Sequence, residues 1–263
     1  MFTVLLLVMW APVAGVLHAL IPNANTATIL ALIVLYGQFL WLVSRWSLAV
    51  HRQHHVFRHF GLEWSGRNGL HVLRGLGIGL SSVLLIFSLE ALLGWVSWRS
   101  PTWSLLPIIL EGLVVALAIG VAEELLFRGW LLDELQRDYA PSVAMWASAA
   151  VFAAVHLRIW TFPALLLLGV ALVWAKRSHP QIHLGKRYNL LGLPIGLHTG
   201  LVYGNYVLEV GKLIQVGDRV PTWVTGIDHN PLAGLVGILF MAVLAGAMAH
   251  YAKRQTRSSL LKF

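Results

Sequence analysis

Apolar residues run along this chain in long blocks, broken by short polar stretches, rather than at the spacing of a half-buried surface helix. Eight blocks stand out, at about 2–21, 26–44, 75–97, 104–135, 142–157, 161–175, 189–209 and 232–251. Crossing the hydrocarbon core of a bilayer takes about 20 apolar residues in a helix. The fifth and sixth blocks fall short of that, and Pro163 sits near the start of the sixth. Shielding by neighbouring helices or local thinning of the bilayer would accommodate them. Alternation at the strand period is weak, which argues against a barrel. The expected fold is therefore all-α, a polytopic transmembrane bundle of about eight spans. It reads as one domain over 1–263, with its chemistry-bearing core at about 104–209. The 45–74 linker contains HRQHHVFRHFGLEW. It is expected to lie on the membrane surface as an amphipathic helix, with Val56, Phe57 and Phe60 inserted. No internal repeat of the transporter kind is visible.

Composition strengthens this reading. Of the 263 residues, 58% are hydrophobic and 11% charged, against roughly 25% charged in soluble domains. Mean hydropathy is +0.73. The first apolar stretch lacks a basic leader and is expected to remain as a helix. The net charge of +8 reads as basic loops on one side of a bilayer, not as a nucleic-acid surface. All but four of the 19 Lys and Arg fall in the 45–74 segment, around Arg128 and Arg137, in the loop holding Lys176, Arg177, Lys186 and Arg187, or in the tail holding Lys253, Arg254, Arg257 and Lys262. Arg99, Arg158, Lys212 and Arg219 are left for the other side. That asymmetry predicts an even number of spans with both termini cytoplasmic, in a bacterial-type inner or plasma membrane or its organelle equivalent. Trp41, Trp46, Trp95, Trp98, Trp103, Trp160, Trp174 and Trp223 fall near predicted span edges, as interfacial aromatics do. The chain has no cysteine, which removes disulfides, thiolate ligands and a thiol nucleophile.

Ionisable groups inside apolar spans are costly, so each asks for a reason. The fourth block contains VAEELLFRGW. Glu123 and Glu124 point about 100° apart on a helix, while Arg128, four residues after Glu124, shares its face. Glu124 and Arg128 are expected to pair. Glu123 is left without a local partner, which suits a general base for water. The fifth block carries FAAVH, with Phe152 and His156 one turn apart. A helical hairpin turning near residue 140 would bring Glu124 and His156 to about the same depth, roughly 24 Å from the turn. The seventh block has Gly192, Gly196, Gly200 and Gly204 every four residues, a seam for close helix approach. His198 points away from that seam, roughly 14 Å inside the helix start. One carboxylate and two histidines from three helices can activate water for attack on an amide. A protonated histidine or Asn205 would steady the oxyanion.

Blander readings compete. His18, His71 and His250 read as core or interfacial residues. His51, His54, His55, His59, His179 and His183 read as solvated loop residues. Glu90, Glu111 and Glu209, taken singly, read as helix contacts or span edges. Alone, the EE…R cluster is as well explained by a structural ion pair. Joined to histidines on two other spans, it favours chemistry. A catalytically weak scaffold that binds a membrane partner remains the alternative, and a transporter using the cluster as an ion path is a more distant one.

EELLFR (123–128), FAAVH (152–156) and His198 resemble the motifs of the CPBP family, the CAAX proteases and bacteriocin-processing enzymes, also called Abi. The resemblance implies an intramembrane endopeptidase acting on a membrane-associated peptide or protein. It implies Glu123 as the water-activating base and Glu124 held by Arg128. His156 and His198 would bind the water and polarise the carbonyl. The family's third motif usually carries Asn or Asp four residues after the histidine, where this chain has Val202. Asn205, a turn further on, is the candidate substitute. Members are often described as metalloproteases, so His156, His198 and Glu123 are also a candidate set for a divalent metal such as zinc, with a position open for water. The expected partners are a peptide or protein substrate and the lipid bilayer, with no nucleic acid.

Overall fold

The computed structural model describes residues 1–183, 186–217, 220–227 and 230–260. Arg219 and Lys262 of the charge map lie outside the described residues. Each of the eight apolar blocks forms a helix, and the described chain divides into two compact units, Met1–His59 and Phe60–Phe263.

The first unit is a helical hairpin, α1 (Phe2–Leu20) and α2 (Ala24–His51). The Asn23 side chain caps α2 by accepting from Thr26 N, which satisfies one of the free amides of a first turn. Trp10 Nε1 donates to Ala31 O at 2.7 Å, and Phe2 packs edge-on against Phe39 and Trp46. A short α3 (Val56–Phe60) follows α2. Val56 and Phe60 are buried in protein, so the linker does not present these two side chains to lipid as expected.

The second unit is built around α9 (Gly192–Val210). The α9 glycines pack on a second glycine seam in α4 (Gly66–Leu92). A Cβ on Gly196 would run into Val72 O and one on Gly200 into Leu76 O, while Gly75 and Gly79 meet the Leu193 and Leu197 carbonyls in return. Only residues without side chains allow backbones this close. On another side, Gly120 of α5 (Leu105–Glu124) admits Thr199 and Ile195. After α5 come a π-helical segment (Leu125–Leu131), α6 (Leu132–Asp138) and α7 (Pro141–Val155), so the hairpin does turn near residue 140. Next is α8 (Phe162–Arg177), where Gly169 rests on Ala149 of α7; α11 (Leu235–Leu260) packs along α8. Phe127, Phe152, Leu168, Leu172, Leu197 and Met241 share the resulting core.

Among the described residues, five helical stretches are long and apolar enough to cross a membrane: Phe2–Leu20, Thr26–His51, Gly66–Leu92, Leu105–Asp138 and Leu235–Arg257. The chain is an integral multi-pass membrane protein. In α9 every residue from Gly192 to Leu201 is buried, and most of α8 is buried as well. Neighbours thus shield them, which is why α9 tolerates a histidine and a threonine in its first half.

The second unit also sorts its loops by charge. At one end Arg177 Nη2 donates to Pro141 O at 2.6 Å, the His179 ring lies tilted against His71 with centroids 3.7 Å apart, and Asn68 Oδ1 accepts from Gly192 N at 2.8 Å. Within the second unit these contacts gather the start of α4, the α6–α7 turn and the loop after α8, three of the basic segments of the charge map. At the other end β1 (Val96–Trp98) pairs antiparallel with β4 (Ile214–Val216), and Arg99 Nη2 donates to Gln215 Oε1 at 2.9 Å. A second ribbon, β2 (Pro180–His183) with β3 (Lys186–Asn189), follows α8. A four-residue α10 (Thr222–Thr225) precedes α11. His179, expected to be solvated, is half-buried, with its Nδ1 2.7 Å from Ser178 Oγ and its Nε2 3.3 Å from the Tyr251 hydroxyl.

Candidate active site

Glu124 ends α5, and the next seven residues wind as a π-helix. Such wide turns are rare and cluster at functional sites. Here Leu132 N reaches back to Phe127 O, and two carbonyls of the segment take bonds from other helices. Phe127 O accepts from Ser148 Oγ of α7 at 3.0 Å, and Arg128 O accepts from the buried Lys176 Nζ of α8 at 2.5 Å. The widened turn is therefore tied into α7 and α8, next to the paired glutamates.

Glu124 and Arg128 form the expected i,i+4 pair, Nη1 to Oε1 at 2.8 Å, with both side chains 0% exposed. The guanidinium carbon also lies 4.2 Å from the centroid of the Phe152 ring, within the range of a cation–π contact. The same Glu124 oxygen is 2.8 Å from His198 Nδ1. An ionised carboxylate only accepts, so Nδ1 carries the proton in that bond, and in the neutral imidazole Nε2 presents its lone pair. Nε2 faces Glu123, 3.8 Å from Oε2. That gap is too long for a direct hydrogen bond and is a separation that water bridges. The Glu123 side chain is 19% exposed, so the two adjacent glutamates divide: one is locked inside, the other borders accessible space.

Phe152 joins the two histidines. Its fully buried ring makes edge contacts with Phe127 (5.2 Å), His156 (4.9 Å) and His198 (5.8 Å). His156 caps α7, and its Nδ1 is 2.8 Å from Phe152 O. A carbonyl can only accept, so this bond uses the Nδ1 proton and leaves Nε2 outside it. The chain reverses at once through Leu157, φ 53°. His156 is therefore one ring away from His198, and no hydrogen bond or ion pair among the described residues joins it to either glutamate. None joins Asn205 to the cluster either. Asn205 is seven residues past His198 in one helix, on a similar face but roughly 10 Å along the axis.

Four buried polar atoms here have no protein partner: Glu123 Oε2, Glu124 Oε2, Arg128 Nε and Thr199 Oγ1. They leave hydrogen-bonding capacity unmet around the paired glutamates. Thr199 was not singled out from the sequence. Its one signal is a hydroxyl directly after the motif histidine. Of the other carboxylates weighed, Glu90 is buried, while Glu111 and Glu209 are exposed. The metal set His156, His198 and Glu123 does not assemble: no three His, Asp or Glu among the described residues converge on a point that an ion could occupy.

The set consists of an accessible carboxylate, a histidine whose tautomer is fixed by a second carboxylate, and an arginine neutralising that second carboxylate. It sets a carboxylate oxygen and an imidazole nitrogen 3.8 Å apart, the pair of groups that hydrolysis by activated water needs. Residues 102–204 match the family model described as Type II CAAX prenyl endopeptidase Rce1-like, the CPBP family that the motifs resemble. The matched stretch contains Glu123, Glu124, Arg128, Phe152, His156, His198 and Val202, and ends one residue before Asn205. No curated protein and no solved structure matches the chain.

Proposed function

We propose that the protein is an intramembrane endopeptidase that cuts a membrane-associated peptide or protein with water activated by Glu123 and His198. The observation that carries this reading is the relay Arg128–Glu124–His198. It turns the His198 Nε2 lone pair toward Glu123 Oε2 across a 3.8 Å gap. A water in that gap gives one hydrogen bond to each side. Glu123 takes a proton as the water oxygen bonds to the scissile carbonyl carbon, and the carbonyl π pair moves onto oxygen. The tetrahedral oxyanion then collapses. The C–N bond breaks and the proton held by Glu123 passes to the departing amine, so that one water and one peptide bond become an acid and an amine. His156, with Nε2 free of its bond to the backbone, is the donor for the oxyanion when protonated. Glu124 and Arg128 act through His198: they fix its tautomer and cancel each other's charge where both are fully buried.

One observation favours a second reading, a membrane scaffold with little or no activity. Val202 occupies the position one turn after His198 and offers no hydrogen bond, and Asn205 lies a further turn on. Quantitative membrane proteomics of host cells carrying wild type or Glu123→Gln separates the two. The endopeptidase predicts an uncut peptide that accumulates only with Glu123→Gln. An unchanged peptide pool, with equal amounts of folded protein, rejects it.

A further inference from the structure

We propose that the basic end of the second unit carries a binding site for the phosphate of an anionic phospholipid, in the cleft between α8 and α11. The cleft has a volume of about 430 Å³ and is lined by Arg177, Lys253 and Arg257, with Trp174, Asn189, Thr256 and Ala252 completing the wall. Three cations thus surround one cavity, and among the described residues no acidic side chain lines it. Lys253 and Arg257 are four residues apart in α11, a spacing at which like charges repel, and Arg177 approaches from α8. An anion in the cleft turns that repulsion into attraction.

The site is partly built in advance. Arg177 Nη2 is held by Pro141 O at 2.6 Å, and the Arg177 guanidinium and Lys253 ammonium lie 5.2 and 5.8 Å from the Trp174 ring centroid. The Thr256 hydroxyl donates to Ala252 O at 3.1 Å, so the donors left for an anion are the three cations and the Asn189 carboxamide. Guanidinium and ammonium groups converging in this way suit phosphate oxygens. The position selects the source. Trp174 is an indole of the kind that sits at headgroup level. The cleft opens at the end of the unit where the basic loops gather. A phospholipid there keeps its chains in the bilayer while its phosphate enters the cleft.

Lipid retention tests this. Protein purified in detergent would be mixed with phosphatidylglycerol or phosphatidylcholine, and the bound lipid counted by native mass spectrometry. Wild type and Arg254→Gln, which removes one positive charge from α11 outside the cleft and so matches Lys253→Gln alone, are expected to retain phosphatidylglycerol over phosphatidylcholine. Lys253→Gln/Arg257→Gln is expected to lose on the order of thirtyfold in apparent affinity, from about a tenfold loss or less per cation near an anionic headgroup. Equal retention by the double variant and wild type would overturn the proposal. So would an equal loss in Arg254→Gln, or inorganic phosphate at equal concentration displacing the lipid. Thermal unfolding of each variant without lipid separates a folding defect from a binding one, and a double variant that fails to fold is replaced by Lys253→Gln alone, with an expected loss of several-fold. The cleft contains none of Glu123, Glu124, His156 or His198, so this outcome is independent of whether the protein cleaves peptides.

Discussion

Truncating Arg128 to alanine is expected to destabilise the protein by about 3–5 kcal/mol, the usual cost of removing one partner from a buried ion pair. The magnitude follows from what remains. Glu124 is 0% exposed and would keep one bond, from His198, while its Oε2 already has no partner. Loss of the Arg128–Phe152 contact adds to the same figure. Arg137 is the control. It makes an i,i+4 pair with Asp133 at 2.9 Å, but with 35% and 24% of the two side chains exposed, so Arg137→Ala should cost about 0.3–0.5 kcal/mol. Thermal unfolding in detergent, followed by the fluorescence of the 12 tryptophans, reads both. Arg128→Ala should lower Tm by on the order of 10 °C and Arg137→Ala by about 2 °C or less. The double change Glu124→Leu/Arg128→Met should recover most of the lost stability, because apolar groups of similar size replace buried pairs at little cost, yet it should remain inactive. Equal Tm values for Arg128→Ala and Arg137→Ala would refute the reasoning.

Other consequences are as direct. Gly196→Ala places a methyl against Val72 O and should cost about 1–3 kcal/mol. Gly77→Ala, in α4 with open space at its Cβ, should be neutral or gain about 0.5–1 kcal/mol; similar Tm values for the two would contradict the glycine seam. Peptide cleavage should survive dialysis against EDTA, since no three donors among the described residues converge, and activity restored only by added zinc would contradict that. His179 has its pKa lowered to about 4, by burial first and then by His71 and Arg74. The unfolded chain therefore binds the proton more readily between about pH 6.5 and 4, and stability falls as pH drops through that window. Tm measured at pH 7 and pH 5 should fall for wild type and fall less for His179→Gln; equal slopes would remove His179 as the cause.

Local spacing made much of the site legible. The Glu124–Arg128 pair follows from i,i+4 geometry, and the α6–α7 turn placed Phe152 and His156 against the same region. His198 sits six residues into α9, roughly 9 Å from its start rather than 14 Å, because the helix begins at Gly192 and not near 189. What spacing cannot show is which groups from distant helices share a bond. The reciprocal seam at Gly75 and Gly79 went unread, because glycine in an apolar helix has no partner until the crossing is known. The π-turn and the Lys176 ammonium on Arg128 O were likewise hidden, since a lysine at a helix end reads as a surface charge. His179 looked like a loop residue and lies tilted against His71. His156 is the informative departure: right helix and right level, but joined to His198 through the Phe152 ring rather than through a polar bond.

The central claim, that Glu123 activates a water held with His198, is tested most directly by the peptidase rate of purified Glu123→Gln in proteoliposomes. The substitution keeps size and hydrogen bonding but removes the base, so kcat/KM should fall by about 100-fold or more with Tm unchanged. A folded Glu123→Gln protein that cleaves within a few-fold of the wild-type rate would contradict the account.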